Sequence, residues 1–295
     1  MNISFEYYRI FYYVAKYENI TKAAMVLKSS QPNVTRIIHL LEDQLDCRLF
    51  LREPRGLKLT EEGKRLYDHV AIACQHLLDA EAELCWNKNI CSGTIELGVT
   101  ETALHLFLLK HLHGFQQKYS DIKIRIQNNT TPGILKALLN GRLDLAIVTT
   151  PFELNDTFAC EDLMTFREVP AGGSEYRALA GHPMSLKEFR FHSIIGLGYG
   201  TASYEYYRKV FMDQKLDYEP AMEVATADLV IPLLQNNLGV GFIPEPLAAP
   251  FFEDQSLVPL SLNVPLPSRD VKMLWDKSLS QSRAAATFCD YLRSL

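Results

Sequence analysis

The stretch that most constrains this chain runs from residue 19 to residue 60, NITKAAMVLKSSQPNVTRIIHLLEDQLDCRLFLREPRGLKLT. Ala23, Ala24 and Leu27 recur at helical spacing and predict a short helix over Thr21 to Leu27. Its two small alanines let a second helix cross close by. Lys28-Ser29-Ser30 breaks the pattern, and Ser30 is suited to cap the next helix by accepting from its free N–H groups. Pro32 falls in the first turn, where a missing N–H costs nothing. Val34, Ile37, Ile38, Leu41 and Leu45 form the apolar stripe of a helix over Gln31 to Leu45. The opposite face carries Gln31, Asn33, Thr35 and Arg36, side-chain types that hydrogen-bond base edges and phosphates. Two helices joined by so tight a turn are either a packing unit of a larger helical core or a helix-turn-helix.

The residues that follow favour the second reading. Leu49-Phe50 closes a core, and Arg52-Glu53-Pro54-Arg55-Gly56-Leu57-Lys58-Leu59 predicts a tight hairpin carrying Arg52, Arg55 and Lys58. Thr60 then caps another helix. A basic hairpin behind a helix-turn-helix is a wing, suited to lie along the phosphate backbone. Upstream, Phe5 to Tyr17 predicts a tyrosine-rich helix with Tyr8, Phe11, Val14 and Ala15 facing inward. Downstream, Leu66, Val70, Ala73, Leu77, Ala80 and Leu84 follow a 4-3-4-3-4 spacing, a seam of the coiled-coil kind. At roughly 25 residues such a helix spans close to 40 Å. It either lies on its own domain or pairs two subunits, and the regularity of the seam favours pairing.

Charge distribution agrees with nucleic acid only in part. The formal net charge is −5, yet residues 1–65 hold eleven lysines and arginines against eight acidic residues. The remainder holds nineteen against twenty-seven, so a mildly basic head sits on an acidic body. No apolar run is long enough for a membrane span and the first residues lack a signal-peptide layout, so a cytoplasmic protein with no membrane partner is expected. Cys47, Cys74, Cys85, Cys91, Cys160 and Cys289 show no CxxC spacing, which predicts reduced, structural thiols.

From residue 94 onward, short apolar strands alternate with helices, the pattern of a parallel α/β sheet. Thr94–Val99, Ile122–Gln127 and Asp144–Thr149 predict strands, with helices over Thr102–Tyr119 and from Thr131-Pro132 to Asn140. After Thr149-Thr150-Pro151 the pattern restarts, with strands at Ser193–Leu197, Met222–Ala225 and Val240–Ile243. Helices are expected from Ser203 and over Asp228–Asn236. Val264-Pro265-Leu266-Pro267 crosses back to a strand at Val271–Trp275 and a last helix over Ser280–Leu292. The least regular segment is 166–182, interrupted by Ala171-Gly172-Gly173.

Phe11, Ala23-Ala24, Ser30-Gln31-Pro32, Val34, Leu41-Glu42, Leu49-Phe50, Arg52, Leu59-Thr60 and Gly63 together resemble the N-terminal domain of LysR-type transcriptional regulators. Length and C-terminal layout extend the resemblance over essentially the whole chain. It implies an α+β multidomain protein: a winged helix-turn-helix at 1–60, a linker and dimerisation helix at 61–91, and an effector domain at 92–295. That domain would be a two-lobed α/β structure like a periplasmic-binding protein, with lobe I at 92–150 plus 267–295 and lobe II at 151–266. Double-stranded DNA, RNA polymerase, a small-molecule effector such as an organic or aromatic acid, and further copies of the chain in a dimer or tetramer are the implied partners. Ser30, Gln31, Pro32, Asn33, Thr35 and Arg36 would read DNA, with Arg52, Arg55 and Lys58 on phosphates. A peroxide-sensing branch uses a cysteine pair in the smaller lobe; no cysteine lies between Cys160 and Cys289, which argues against that mechanism.

In open α/β sheets, ligands bind beyond the carboxyl ends of strands. The rule selects Thr100, Thr102, Thr130, Thr131 and Thr149 in one lobe and Thr201, Ser203 and Thr226 in the other, with Phe242 on the cleft floor. Their hydroxyls are suited to a carboxylate, although each is also an ordinary helix cap. Glu101, between two of them, opposes a strongly anionic ligand if it faces inward. GxSxG, P-loop, GxGxxG and HExxH patterns are missing, so no enzyme, cofactor or metal is implied. His105, His111 and His113 fall on different helix faces and predict solvated or packing roles. The rival functional reading is an effector-independent DNA-binding protein whose C-terminal lobes serve only oligomerisation.

Overall fold

A computed structural model of the chain describes residues 3–53, 56–85, 93–279 and 281–295; the side chains at 52, 53, 56, 75 and 79–85 lie outside that description. The chain divides into two compact units, Met1–Lys88 and Asn89–Leu295.

The first unit contains helices α1 (Phe5–Tyr17), α2 (Ile20–Val26) and α3 (Gln31–Leu45), a hairpin of β1 (Phe50–Glu53) and β2 (Gly56–Leu59), and the long α4 (Glu61–Cys85). Helix α2 starts one residue before its expected start, because Asn19 rather than a later residue caps it by accepting from the Lys22 N–H at 2.9 Å. Ile10, Phe11, Val14, Ala23, Val34, Ile38, Leu41 and Leu49 make the core, with Leu45 half-buried at its rim. Gly63 lies so close to the hairpin that a Cβ there would meet the Leu49 carbonyl oxygen at 2.2 Å. The apolar seam of α4 serves two purposes. Leu66, Val70 and Cys74 pack into this unit's own core, whereas Ala73 is exposed and Leu77 is 49 % exposed. Its first half therefore lies on its own domain, which the even heptad spacing concealed. Ala80, Leu84, Cys85 and the expected helix end at 86–93 fall on side chains or residues outside the description, apart from Gly93.

The second unit holds two five-stranded sheets. In chain order it contains β3 (Gly93–Val99), α5 (Glu101–Ala103), a π-helical turn at Leu104–Leu108, α6 (Leu109–Lys118), β4 (Ile122–Asn128), α7 (Thr131–Leu139), β5 (Leu145–Thr149) and β6 (Phe158–Phe166). Then come β7 (Glu168–Gly172), α8 (Leu186–Phe189), β8 (Ile194–Leu197), α9 (Ala202–Asp213), β9 (Met222–Val224) and α10 (Val230–Gln235). The unit closes with β10 (Val240–Pro244), α11 (Glu245–Glu253), β11 (Val258–Pro259), β12 (Arg269–Asp276) and α12 (Arg283–Arg293). Lobe I has the sheet order β4-β3-β5-β12-β6, and lobe II has β11-β7-β10-β8-β9. Strand alternation sorts the core: Leu145 and Ile147 of β5 face α6 and α12, while Ala146 and Val148 face α7.

Four expectations need correction. Both sheets are mixed rather than parallel, since β12 runs antiparallel to β5 and β6, and β7 antiparallel to β10. The first crossing between lobes lies at residue 167, not at 150, because β6 returns to pair with β12 in lobe I before β7 enters lobe II. The partner that buries β6 lies about a hundred residues further on, so its pattern carries no local sign of the pairing. Helix α7 is capped by Thr130, one residue before the expected start. Helix α12 begins at Arg283, where Ser282 accepts from the Ala285 N–H at 3.2 Å; Ser280 lies outside the described residues.

Candidate DNA interface and ligand cleft

Within the first unit, Ser30 caps α3 by accepting from the Asn33 N–H at 3.4 Å, and Gln31 and Pro32 are exposed in the first turn. The Asn33 side chain is held from both ends: its amide donates to Ser29 Oγ at 3.1 Å and its oxygen accepts from Arg36 Nη2 at 3.1 Å. Thr21 Oγ1 approaches Gln31 Oε1 at 3.5 Å. Gln31 and Arg36 are exposed and Asn33 is half-buried, all three outside the buried stripe of Val34, Ile37, Ile38 and Leu41. Thr35 is half-buried at a groove between α3 and the hairpin, about 410 Å³ in volume. In the hairpin, Lys58 pairs across from Leu51. Arg55 and the side chain of Arg52 lie outside the described residues.

Glu42 is the residue of this unit that site reasoning overlooked. Its carboxylate is buried and accepts from the N–H groups of Leu49 at 2.7 Å and Phe50 at 3.2 Å, and from Arg48 Nη1 at 2.7 Å. Burial alone would raise its pKa, but the Leu49 N–H, Arg48 and the Phe50 N–H together hold the carboxyl below its usual range. The carboxylate therefore fixes the end of α3 to the start of the wing. A depressed pKa means this stabilisation is present above the ordinary carboxylate value and is lost as pH falls through the folded one. Glu42→Ala strands two N–H groups and should destabilise the Met1–Lys88 unit by about 2–3 kcal/mol in urea unfolding. An unchanged midpoint would show that the hairpin is anchored elsewhere.

In the second unit the loops after β3, β4, β5, β8 and β9 converge. Thr100, Thr102, Thr130, Thr131, Thr149, Thr201, Ser203 and Thr226 all line one cavity of about 310 Å³ between the lobes. Phe242 does not line it. That residue faces an adjoining cavity of about 400 Å³, where Val230, Ile231, Leu247 and Phe251 make the walls apolar. The two cavities share Glu101, Thr102, Leu197, Ser203 and Ala227.

The hydroxyls are not equivalent. Thr201 accepts from the Tyr204 N–H at 3.1 Å and donates to the Gly198 carbonyl at 3.0 Å, so it is spent as a cap. Thr131 donates to the Thr149 carbonyl at 3.4 Å. A hydrogen bond from Thr226 holds the Asp228 carboxyl below its usual range, with burial working against it. Thr130 accepts from the Gly133 N–H at 3.4 Å and keeps its own proton to donate. Thr100, 8 % exposed, has no partner for Oγ1. Ser203 and Thr149 accept from a buried arginine and likewise keep their protons.

That arginine, Arg269 at the start of β12, is the second feature that site reasoning overlooked. It is 1 % exposed and ties the lobes together behind the cavity. Nη1 donates to Glu168 Oε1 of β7 at 2.5 Å and to Ser203 Oγ at 3.0 Å; Nη2 donates to Thr149 Oγ1 at 3.1 Å, and Nε to the Thr150 carbonyl at 2.7 Å. The guanidinium lies over the rings of Phe166 and Tyr206, 5.4 and 5.0 Å from their centroids. It sits where both crossings pass between the lobes.

Glu101 makes a second tie across the cleft. Oε1 accepts from the Asp228 N–H of lobe II at 3.0 Å, while Oε2 is buried without a partner. His105, expected to be a bystander, lies one turn on with Nε2 3.7 Å from Oε1, and it lines the second cavity. Burial, and then the Asp228 carboxyl that faces it, push Glu101 up to about 7. A raised carboxyl pKa stabilises the folded state fully below the ordinary value of 4.5, and that contribution is lost as pH rises through about 7. The wild-type chain should therefore lose thermal stability between pH 5 and pH 8 by more than its Glu101→Gln variant does. Parallel curves for the two proteins would contradict the assignment.

Among the described residues no helix is long and apolar enough to cross a membrane. Comparison with known proteins gives a consistent picture. A family model described as the LysR substrate binding domain matches residues 91–295, and one described as the bacterial regulatory helix-turn-helix protein, lysR family, matches residues 5–64. The HTH-type transcriptional regulator YofA of Bacillus velezensis is 25 % identical over 289 residues, covering 97 % of this chain and 96 % of its own. The RuBisCO operon transcriptional regulator of Allochromatium vinosum is 22 % identical over 294 residues, covering 100 % of this chain and 97 % of its own. Among solved structures, a full-length OxyR variant from Pseudomonas aeruginosa superposes with a TM-score of 0.70 at 18 % identity, covering 99 % of this chain and 98 % of that one. The Vibrio cholerae virulence activator AphB superposes at 0.59 and 18 % identity, covering 99 % of each chain.

Proposed function

The chain belongs to the LysR family of bacterial DNA-binding transcriptional regulators, and from that premise we propose that it is a ligand-gated one. In this reading α3 enters the major groove of a two-fold-related operator. Gln31, Asn33 and Arg36 meet base edges and phosphates, Ser30 and Pro32 set the helix start, and Thr35 lies at the groove beside the wing. Lys58, with Arg52 and Arg55, follows the phosphate backbone. Two subunits pair through α4, whose exposed Leu77 supports such a contact. Further pairing of C-terminal domains would build a tetramer, and the regulator would act on RNA polymerase access in the cytoplasm.

The observation that carries the ligand reading is the convergence of five turns, bearing eight hydroxyls between them, from both lobes on one cavity. A purely oligomerising domain has no need to leave Thr100, Ser203 and Thr130 with protons to donate into a cleft between its lobes. A ligand bound there would touch both lobes and therefore favour one arrangement of them over the other, which is the requirement for gating. Thermal unfolding of the full chain in the presence of a panel of organic acids, aromatic acids and amino acids tests this. At least one class should raise the melting temperature in a concentration-dependent way. Silence across the panel would favour the oligomerisation-only rival.

A further inference from the structure

We propose that the cleft takes an apolar α-amino acid, with its ammonium seated between Glu101 of lobe I and Asp228 of lobe II, its carboxylate on the hydroxyl-lined turns and its side chain in the adjoining apolar cavity. The proposal rests on reading the cleft as the effector site, and it deepens that reading by naming the ligand's chemistry.

Three observations lead to it. The first is charge. Among the described residues lining the two cavities there are carboxyls at Glu101, Asp228 and Glu168 and an imidazole at His105, but no lysine or arginine. Arg269 stands one layer behind and spends its donors on Glu168, Ser203, Thr149 and the Thr150 carbonyl. A simple organic anion would thus enter a site with acids on its wall and no cation to answer it, at a large desolvation cost. A zwitterion brings its own cation.

The second observation is an orphaned acceptor. Glu101 Oε2 is buried without a hydrogen-bond partner, and Glu101 belongs to the walls of both cavities. Its other oxygen already holds the Asp228 N–H. Two carboxyls face one another across the cleft, and burial together with the hydrogen bond between them holds Glu101 at about 7, so a single proton is all that joins them. A protonated amine takes the place of that proton and supplies donors to both carboxylates, the unpartnered Oε2 included. His105 is 45 % exposed and stands nearer Oε1, so Oε2 is left for the ligand.

The third is the division of chemistry along the cleft. On one side of Glu101 the donors are Thr100, Ser203 and Thr130 together with the N-terminal turn of α9, a twelve-residue helix whose first N–H groups face a carboxylate favourably. On the other side, Val230, Ile231, Leu247 and Phe251 offer apolar walls. An α-amino acid carries these three groups on one carbon.

The test compares matched ligand pairs by isothermal titration calorimetry on the full chain. Leucine and phenylalanine are set against 4-methylpentanoate and 3-phenylpropanoate, which differ from them only by the amine. The amino acids should bind the wild-type chain roughly tenfold to a hundredfold more tightly than their des-amino partners, the range of a charge-assisted hydrogen bond. Glu101→Gln should erase that preference, chiefly by weakening the amino acids. If the des-amino acids bind wild type as well as the amino acids do, the ammonium site is wrong while the cleft reading survives. If neither series binds, the amino-acid assignment is overturned, while the cleft reading stands or falls separately on the wider thermal panel. The wild-type comparison decides even should Glu101→Gln or Asp228→Asn fold poorly.

Discussion

Arg269→Met is expected to destabilise the Asn89–Leu295 unit by about 3–5 kcal/mol, the cost of leaving a buried charge without its partner. Glu168 is 1 % exposed in its side chain, so removing the guanidinium strands a carboxyl that burial already pushes up. Ser203 Oγ, Thr149 Oγ1 and the Thr150 carbonyl lose a donor in the same step. The double variant Arg269→Met, Glu168→Leu should recover much of the loss, because an apolar pair of similar volume needs no hydrogen bonds. Urea unfolding followed through Trp275, in a Trp86→Phe background, reads both. A loss below about 1 kcal/mol for Arg269→Met would mean that the ion pair does not hold the lobes in register. A double variant that folds well but no longer answers ligand would identify the network as the link between cleft and hinge.

The second large effect belongs to DNA. Arg36→Ala removes an exposed guanidinium that lies beside Asn33 on the outer face of α3. Loss of one base-directed arginine should weaken specific operator binding by about 1–3 kcal/mol, or roughly tenfold to a hundredfold. Binding to unrelated duplexes should change far less. Lys58→Ala on the wing should instead weaken every sequence alike and reduce the salt slope by about one. Fluorescence anisotropy across a salt series separates the two patterns. Equal losses on specific and unrelated DNA for Arg36→Ala would move Arg36 from the base edges to the backbone.

Much of this organisation is legible in the sequence because its signals are local. Ser30, Pro32 and the stripe from Val34 to Leu45 define α3 within fifteen residues, and the helix spans Gln31–Leu45 as expected. The cleft hydroxyls follow from one topological rule applied to strands that are themselves short apolar runs. What stayed hidden depends on partners far apart in the chain. Glu168 and Arg269 are 101 residues apart, and each reads alone as an ordinary charged residue at a strand end. Strand β6 is buried by β12, which no local pattern announces. Glu42 could have been found, since a charged residue next to the buried stripe of a helix that ends at a turn is a natural acceptor for the N–H groups beyond it. Heptad spacing in α4 reads the same for a helix that packs on its own domain as for one that pairs with a copy, and among the described side chains the exposed Ala73 and Leu77 separate the two uses.

In the proposed function this chain recognises a particular DNA sequence, and a ligand in the cleft changes the recognition. The most direct test is footprinting of the full chain on the region upstream of its own gene, at fixed salt, with and without leucine or phenylalanine. Two protected half-sites separated by one helical turn or a multiple of it are expected, with the extent of protection or the DNA bend shifting when the amino acid is added. Uniform protection that follows salt alone and ignores sequence and ligand would contradict the proposal.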